Sequence, residues 1–152
     1  RSWFIAREAG RYEGQCKELC GLSHALMRTI VFAESQSEYA AWADVQRSPA
    51  IAVSAETQDG LDAFLEIRGS KGACFVCHTI DGVENAVGQV GPNLTHFGSR
   101  ETIAANIMEM GGTNLGRWLR DPAAVKPGSI MPDMGLSETE ITAVSAYLAS
   151  LQ

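Results

Sequence analysis

Hydrophobic positions change their spacing along this chain. From Trp3 to Glu34 they come in short runs rich in aromatic and β-branched residues, "WFIA" and "RTIVFAE", with Gly10, Gly14 and Gly21 between. Such runs broken by glycine predict two short strands flanking a loop, the end of a β-structure that needs further strands for stability. Residues 36–47, "QSEYAAWADVQR", predict a short amphipathic helix, and "SPAIAVSAETQDG" has the Ser, Pro and Gly content of a linker. Beyond it the period is helical. Leu61, Phe64 and Leu65 share one face, Ile103, Ile107 and Met110 predict a helix over 100–110, and a third covers 114–120 before Asp121 and Pro122. The last helix is the best marked: Ser137 and Glu140 form a capping box, and Ile141, Val144, Leu148 and Leu151 follow at helical spacing. The division expected is a β remnant over 1–47, a linker over 48–57 and an all-α domain over 58–152.

The chain has 152 residues and an apolar fraction of 45%, enough for a packed core in one ordinary domain or two small ones. Its net charge of -6 argues against nucleic-acid binding through a basic surface, and would favour a basic partner if the acidic groups cluster on one face. No run approaches the roughly 20 apolar residues that span a bilayer, and no signal peptide opens the chain. It begins at Arg1 inside strand-like sequence, so we expect an N-terminally truncated fragment whose membrane anchor lies upstream.

Four cysteines in two close pairs admit disulfides, metal sites or thioether attachment of haem. The second pair, in "CFVCH", has the haem-attachment spacing: Cys74 and Cys77 to form thioethers, and the adjacent His78 to reach iron from the same side. Zinc would need two more ligands where only His96 follows, and a redox dithiol would sit in a βαβ context that is absent. Met131, in the Gly- and Pro-rich "KPGSIMPDMG", is the expected distal ligand, with Met134 and His96 as lesser candidates. Met108 and Met110 are expected to pack in the core.

With "GPNL" at 91–94, Met131-Pro132 and "YL" at 147–148, residues 57–152 resemble a class I c-type cytochrome domain. The resemblance implies that the Pro92 carbonyl accepts a hydrogen bond from the His78 ring, and that Trp118 and Arg117 are candidate donors to a haem propionate. Trp118 could equally be a core aromatic.

The first pair lies in "GQCKELCGLSHALM", where Cys16 and Cys20 could form a disulfide, be buried thiols or act as ligands. His24 and Met27 tilt the balance. Thiolate, imidazole and thioether together are a copper ligand set. The stretch from Gly10 to Met27 resembles the binuclear copper A site of cytochrome c oxidase subunit II, and "KEL" between the cysteines favours the oxidase over nitrous oxide reductase. That resemblance implies Cys16 and Cys20 bridging two coppers, His24 on one, Met27 on the other, and the Glu18 backbone carbonyl as a weak ligand. It also demands a second histidine on an earlier strand, a place that neither His78 nor His96 fills. We therefore expect the isolated chain to bind copper poorly.

The two resemblances in sequence are those of subunit II of the cytochrome-c-fused, caa-type haem-copper oxidases. They imply the remnant of a cupredoxin-like β-barrel followed by the cytochrome domain, one covalent haem c, and copper A. The implied role is electron transfer from a soluble or membrane donor to subunit I, in company with the other oxidase subunits. The implied place is the periplasmic or external face of a bacterial cell membrane. Two readings of other classes stand beside it: a stand-alone secreted monohaem carrier with a Cys16–Cys20 disulfide, and a sensor cytochrome with an open iron.

Overall fold

The structure, a computed structural model, describes residues 3–50, 53–111 and 113–152. Ile51 and Ala52 of the expected linker, and Arg1, Ser2 and Gly112, lie outside the described residues.

Strand β1 (Gly10–Gln15) pairs antiparallel with β2 (Arg28–Ala33), in a register running from Gly10 opposite Ala33 to Gln15 opposite Arg28. The second strand is the expected one. The first is not "WFIA": β2 ends opposite Gly10, so residues 3–6 have nothing to pair with, and "GRYEGQ" takes their place. The loop between the strands closes where the Cys16 amide donates to the Met27 carbonyl at 3.0 Å. Helix α1 (Gln36–Gln46) follows, started by a Ser35–Glu38 capping box. It buries no residue, and its apolar side chains Tyr39, Trp42 and Val45 face outward.

The core begins later. Helices α2 (Gln58–Leu65), α3 (Cys74–Cys77), α4 (Asn114–Arg120), α5 (Pro122–Val125) and α6 (Glu138–Ser150) surround a cluster whose buried members all lie between Ala63 and Leu151. Helix α6 fulfils its sequence pattern, with the capping box formed and Ile141, Val144, Tyr147 and Leu148 buried. Each buried Ile, Val or Leu contributes roughly 1.5–3 kcal/mol, so α6 is held chiefly by this face. It crosses α2 at Gly60, where a Cβ would come within 2.2 Å of the Ala143 carbonyl oxygen. The Phe64 and Tyr147 rings meet edge-on beside that crossing, 6.1 Å between centroids.

The expected helix over 100–110 is instead a small hairpin. Strand β3 (Thr102–Ile103) pairs with β4 (Met108–Glu109), and Ala104, Ala105 and Asn106 turn between them in the left-handed region. β-Branched Thr102 and Ile103 favour extended backbone, and the Thr102 hydroxyl donates to the Asn106 side chain at 2.6 Å across the turn. Ile103 is buried and Met110 packs on the core, as does Met108, whereas Ile107 of the expected stripe is only half-buried and outside that cluster.

The early hairpin touches the later fold at three places. Arg11 pairs with Glu101 at 3.0 Å, the Asn106 side chain donates to the Arg28 carbonyl at 3.3 Å, and the Ser23 hydroxyl donates to the Pro127 carbonyl. Between these parts of the chain, the His96 ring donates through Nε2 to the Ser48 carbonyl at 3.0 Å, the Ala50 amide to the Asp81 carbonyl at 2.9 Å, and Val53 packs on the core.

Candidate functional site

Helix α3 is a single turn, and it sets Cys74 and Cys77 at its two ends with His78 next in line. Both thiols are half-buried and unbonded, and burial pushes the Cys74 thiol up from its ordinary pKa. His78 is 9% exposed. Its Nδ1 lies 2.8 Å from the Pro92 carbonyl oxygen, and a carbonyl can only accept, so Nδ1 carries the proton and Nε2 keeps its lone pair. Burial holds the His78 pKa below its ordinary value, against the opposing pull of the Pro92 carbonyl. The backbone closes tightly around this ring. The Gly91 amide donates to the Cys77 carbonyl at 2.7 Å, and a Cβ on Gly91 would fall 2.4 Å from the ring's Cε1.

Sequence reasoning missed two residues here. Gly91 was visible only as part of "GPNL", and its steric role needs the folded ring beside it. Arg100 carries no local signal at all. Its guanidinium sits over the Phe97 ring, 5.1 Å from the centroid, and donates to the Asn93 carbonyl at 2.6 Å. Desolvation lowers its pKa, and its charge helps keep His78 unprotonated.

The remaining candidates separate by position. Met131 is half-buried against the core, on a loop that leads toward α6, whereas Met134 is 7% exposed within the core. His96 is buried with its ring engaged by the Ser48 carbonyl. Trp118 packs against the core from α4, while Arg117 is exposed.

The loop between β1 and β2 gathers the other set. Cys16 Sγ stands 3.4 Å from Cys20 Sγ and 3.1 Å from the Glu18 carbonyl oxygen; Cys20 Sγ stands 3.4 Å from Met27 Sδ and 3.6 Å from His24 Nδ1. Ligand atoms of Cys16, Cys20 and His24 all lie within 4.8 Å of one another. The two thiols are separate, and the bond shared with Cys16 raises the Cys20 pKa. Cys20 and Met27 are exposed and Cys16 and His24 half-buried, so the cluster lies at the surface. The loop thus brings together every ligand that its sequence suggested, and His78 and His96 stand elsewhere.

Residues 68–152 match the cytochrome c family. The chain belongs to the cytochrome c family. Along nearly its whole length this cytochrome is also similar to cytochrome c oxidase subunit 2 of Alkalihalophilus pseudofirmus, 37% identical over 99% of this chain and 42% of the relative. The same subunit of Bacillus subtilis is 33% identical over 97% of this chain and 41% of the relative. A shorter stretch of 45 residues is 49% identical to subunit 2 of Cereibacter sphaeroides, covering 30% of this chain and 15% of that one. The chain spans about two fifths of the length of the first two relatives.

Membership of this family implies a covalently attached haem, and the residues fit it. Two free thiols flank one helical turn, and an adjacent buried imidazole has its Nε2 lone pair freed by the Pro92 bond.

Proposed function

We propose that this chain relays single electrons within a respiratory terminal oxidase, from an external donor through a c-type haem to a binuclear copper centre and on toward subunit I. The relatives, named as oxidase subunit 2, and the match to cytochrome c support the oxidase setting and the haem. The observation that carries the copper assignment is the convergence of two thiolates, an imidazole, a thioether and a backbone carbonyl on one loop. This loop is unsuited to haem. His24 comes four residues after Cys20 and turns its ring onto the thiols, whereas haem attachment needs the histidine next to the second cysteine.

When bound, haem supplies a one-electron couple. Cys74 and Cys77 would hold it covalently, and His78 would ligate through Nε2 while the Pro92 carbonyl fixes the ring's tautomer. Met131 would ligate from the other side, which closes the iron to oxygen and raises its potential. Trp118 or Arg117 would serve the propionates. Cys16 and Cys20 would bridge the coppers, with His24, Met27 and the Glu18 carbonyl as terminal ligands. Soft sulfur favours the reduced copper and imidazole suits both oxidation states; two shared thiolates would spread the electron over both metals and so keep geometric change small.

The division into a cupredoxin-like remnant over 1–47, a linker over 48–57 and a cytochrome domain over 58–152 belongs to this proposal. It is supported by where the core starts. The early hairpin and α1 place no residue in the buried cluster, and Trp3, Phe4, Leu19, Leu22 and Trp42 stand exposed. Apolar side chains on that scale fit burial against further oxidase segments or subunits in a membrane complex. Among the described residues no helix is long and apolar enough to cross a membrane. We place the chain on the outer face.

The test is a metal and haem inventory of the protein as the cell makes it. We expect one haem and two coppers per subunit in the assembled oxidase, and haem with little copper in this chain taken alone. Cys16→Ser with Cys20→Ser should remove copper and keep haem; Cys74→Ser with Cys77→Ser should do the reverse. Haem lost with the first pair, or zinc or no metal in the unmodified protein, would overturn the assignment.

A further inference from the structure

Two loops that the sequence keeps a hundred residues apart meet at Ser23. One carries the candidate copper ligands, the other leads to Met131. Ser23 caps the short 3-10 turn His24–Leu26 with its backbone, the Leu26 amide donating to its carbonyl at 2.9 Å, and its side chain makes no cap bond. The hydroxyl is therefore free, and it donates to the Pro127 carbonyl. Leu22 backs this contact, with its Cβ 3.3 Å from where a Cβ on Gly128 would sit.

The receiving carbonyl lies at a mechanically sensitive point. The Ser129 amide closes a turn onto the Lys126 carbonyl at 3.0 Å, with Pro127 and Gly128 at its centre and Gly128 at φ +81°. Proline second and a positive-φ glycine third are the arrangement of a type II turn. In that turn the peptide between the central residues points its oxygen outward, and flipping this peptide converts type II to type I. A donor on that oxygen holds the type II form. The turn runs on into the segment it orients: Ser129 Oγ accepts from the Met131 amide at 3.3 Å.

We propose that Ser23 is a positioning residue for Met131, pinning the distal-ligand loop from the copper loop so that the early hairpin helps set how firmly the haem iron keeps its sulfur ligand. This rests on Met131 being the distal ligand. No atom of Ser23 reaches the iron ligands; it acts through the Pro127–Gly128 peptide.

The test is competition at the ferric haem of the full chain. Added imidazole displaces the methionine only when the loop opens, so its apparent affinity reports the opening equilibrium, read by loss of the weak red sulfur-to-iron absorption band. Removing one neutral hydrogen bond shifts such an equilibrium roughly three- to tenfold. Ser23→Ala should therefore raise the apparent imidazole affinity by about fivefold. Ser23→Thr, which keeps the hydroxyl, should restore the original value. Arg11→Gln removes the Glu101 pair elsewhere on the contact and should leave the affinity unchanged. An unaltered affinity in Ser23→Ala, or an equal rise in Arg11→Gln, would overturn the inference while leaving the Met131 reading intact. Absence of the band in the unmodified protein would overturn both.

Discussion

Gly91 shows how much one missing side chain carries. Its amide ties back to the Cys77 carbonyl, and the His78 ring fills the space where its Cβ would be, 2.4 Å from Cε1 and 2.7 Å from Nδ1. Neither neighbour is a flexible chain end. The ring is held by the Pro92 carbonyl on one side and by its own backbone on the other, where the His78 amide caps α3 by donating to the Cys74 carbonyl at 3.0 Å. Gly91→Ala should therefore displace the imidazole from Pro92, lower stability by about 1–3 kcal/mol as overpacking does, and reduce haem attached per chain. A denaturant melt with a haem assay checks it, and an unchanged variant would mean that the loop yields more freely than its bonds suggest. At this scale the sequence was most legible where spacing is local: Cys74 and Cys77 end one helical turn with His78 next in line, the order that the proposed haem attachment would need. Arg100 was illegible because its role comes from which ring and carbonyl the fold brings under it.

Helix α6 shows the same contrast among elements. Its capping box and apolar stripe are local, so they could be read directly, and the structure repeats them. Its tether to the rest of the fold could not be read. Arg68 bonds Glu140 at 2.6 Å and Glu66 at 2.7 Å, joining the first turn of α6 to the segment ahead of α3. Bonds from Ser137 first, and then from Arg68, hold the Glu140 carboxyl down at about 2 from 4.5. A carboxyl depressed in the folded state stabilises above its unfolded pKa, and that contribution drains away as pH falls from about 4.5 toward 2. Glu140→Gln should thus be less stable than the unmodified chain at neutral pH, with the gap closing in acid, as denaturant melts at several pH values would show. A gap that persisted at low pH would assign the loss to packing instead of ionisation. Elements 3–6 and 100–110 were misread for a related reason. Short apolar runs fit strand, helix or coil, and what decides them is where a partner strand ends or which side chain closes a turn.

The whole chain is joined more firmly than its composition suggests. A stretch with the Ser, Pro and Gly content of a linker reads as a tether, but its first residues are fastened to the later fold by backbone groups, which leave no mark in sequence: the Ser48 carbonyl accepts a hydrogen bond from the His96 ring and the Ala50 amide donates to the Asp81 carbonyl. Pro49 lies between them against Gly82. The change of hydrophobic period along the chain was visible, because spacing is a local property; the contacts between the early hairpin and the later core were not. His96 is the member of this latch that can be tested alone. Its Nδ1 is buried without a partner among the described residues, so replacing the ring by one of similar size removes an unpaired polar atom as well as one donor, and the two effects oppose each other. His96→Phe should therefore change global stability by no more than about 1 kcal/mol, while the Ala50 amide exchanges about fivefold faster because its neighbour on the strap has lost its anchor. Amides of α2 and α6 should keep their protection. If exchange rises through the whole core together, His96 is a packing residue and the strap is incidental; if Ala50 is unmoved, the two backbone bonds are independent, and the first part of the chain is held by Arg11, Asn106 and Ser23 without the strap's help.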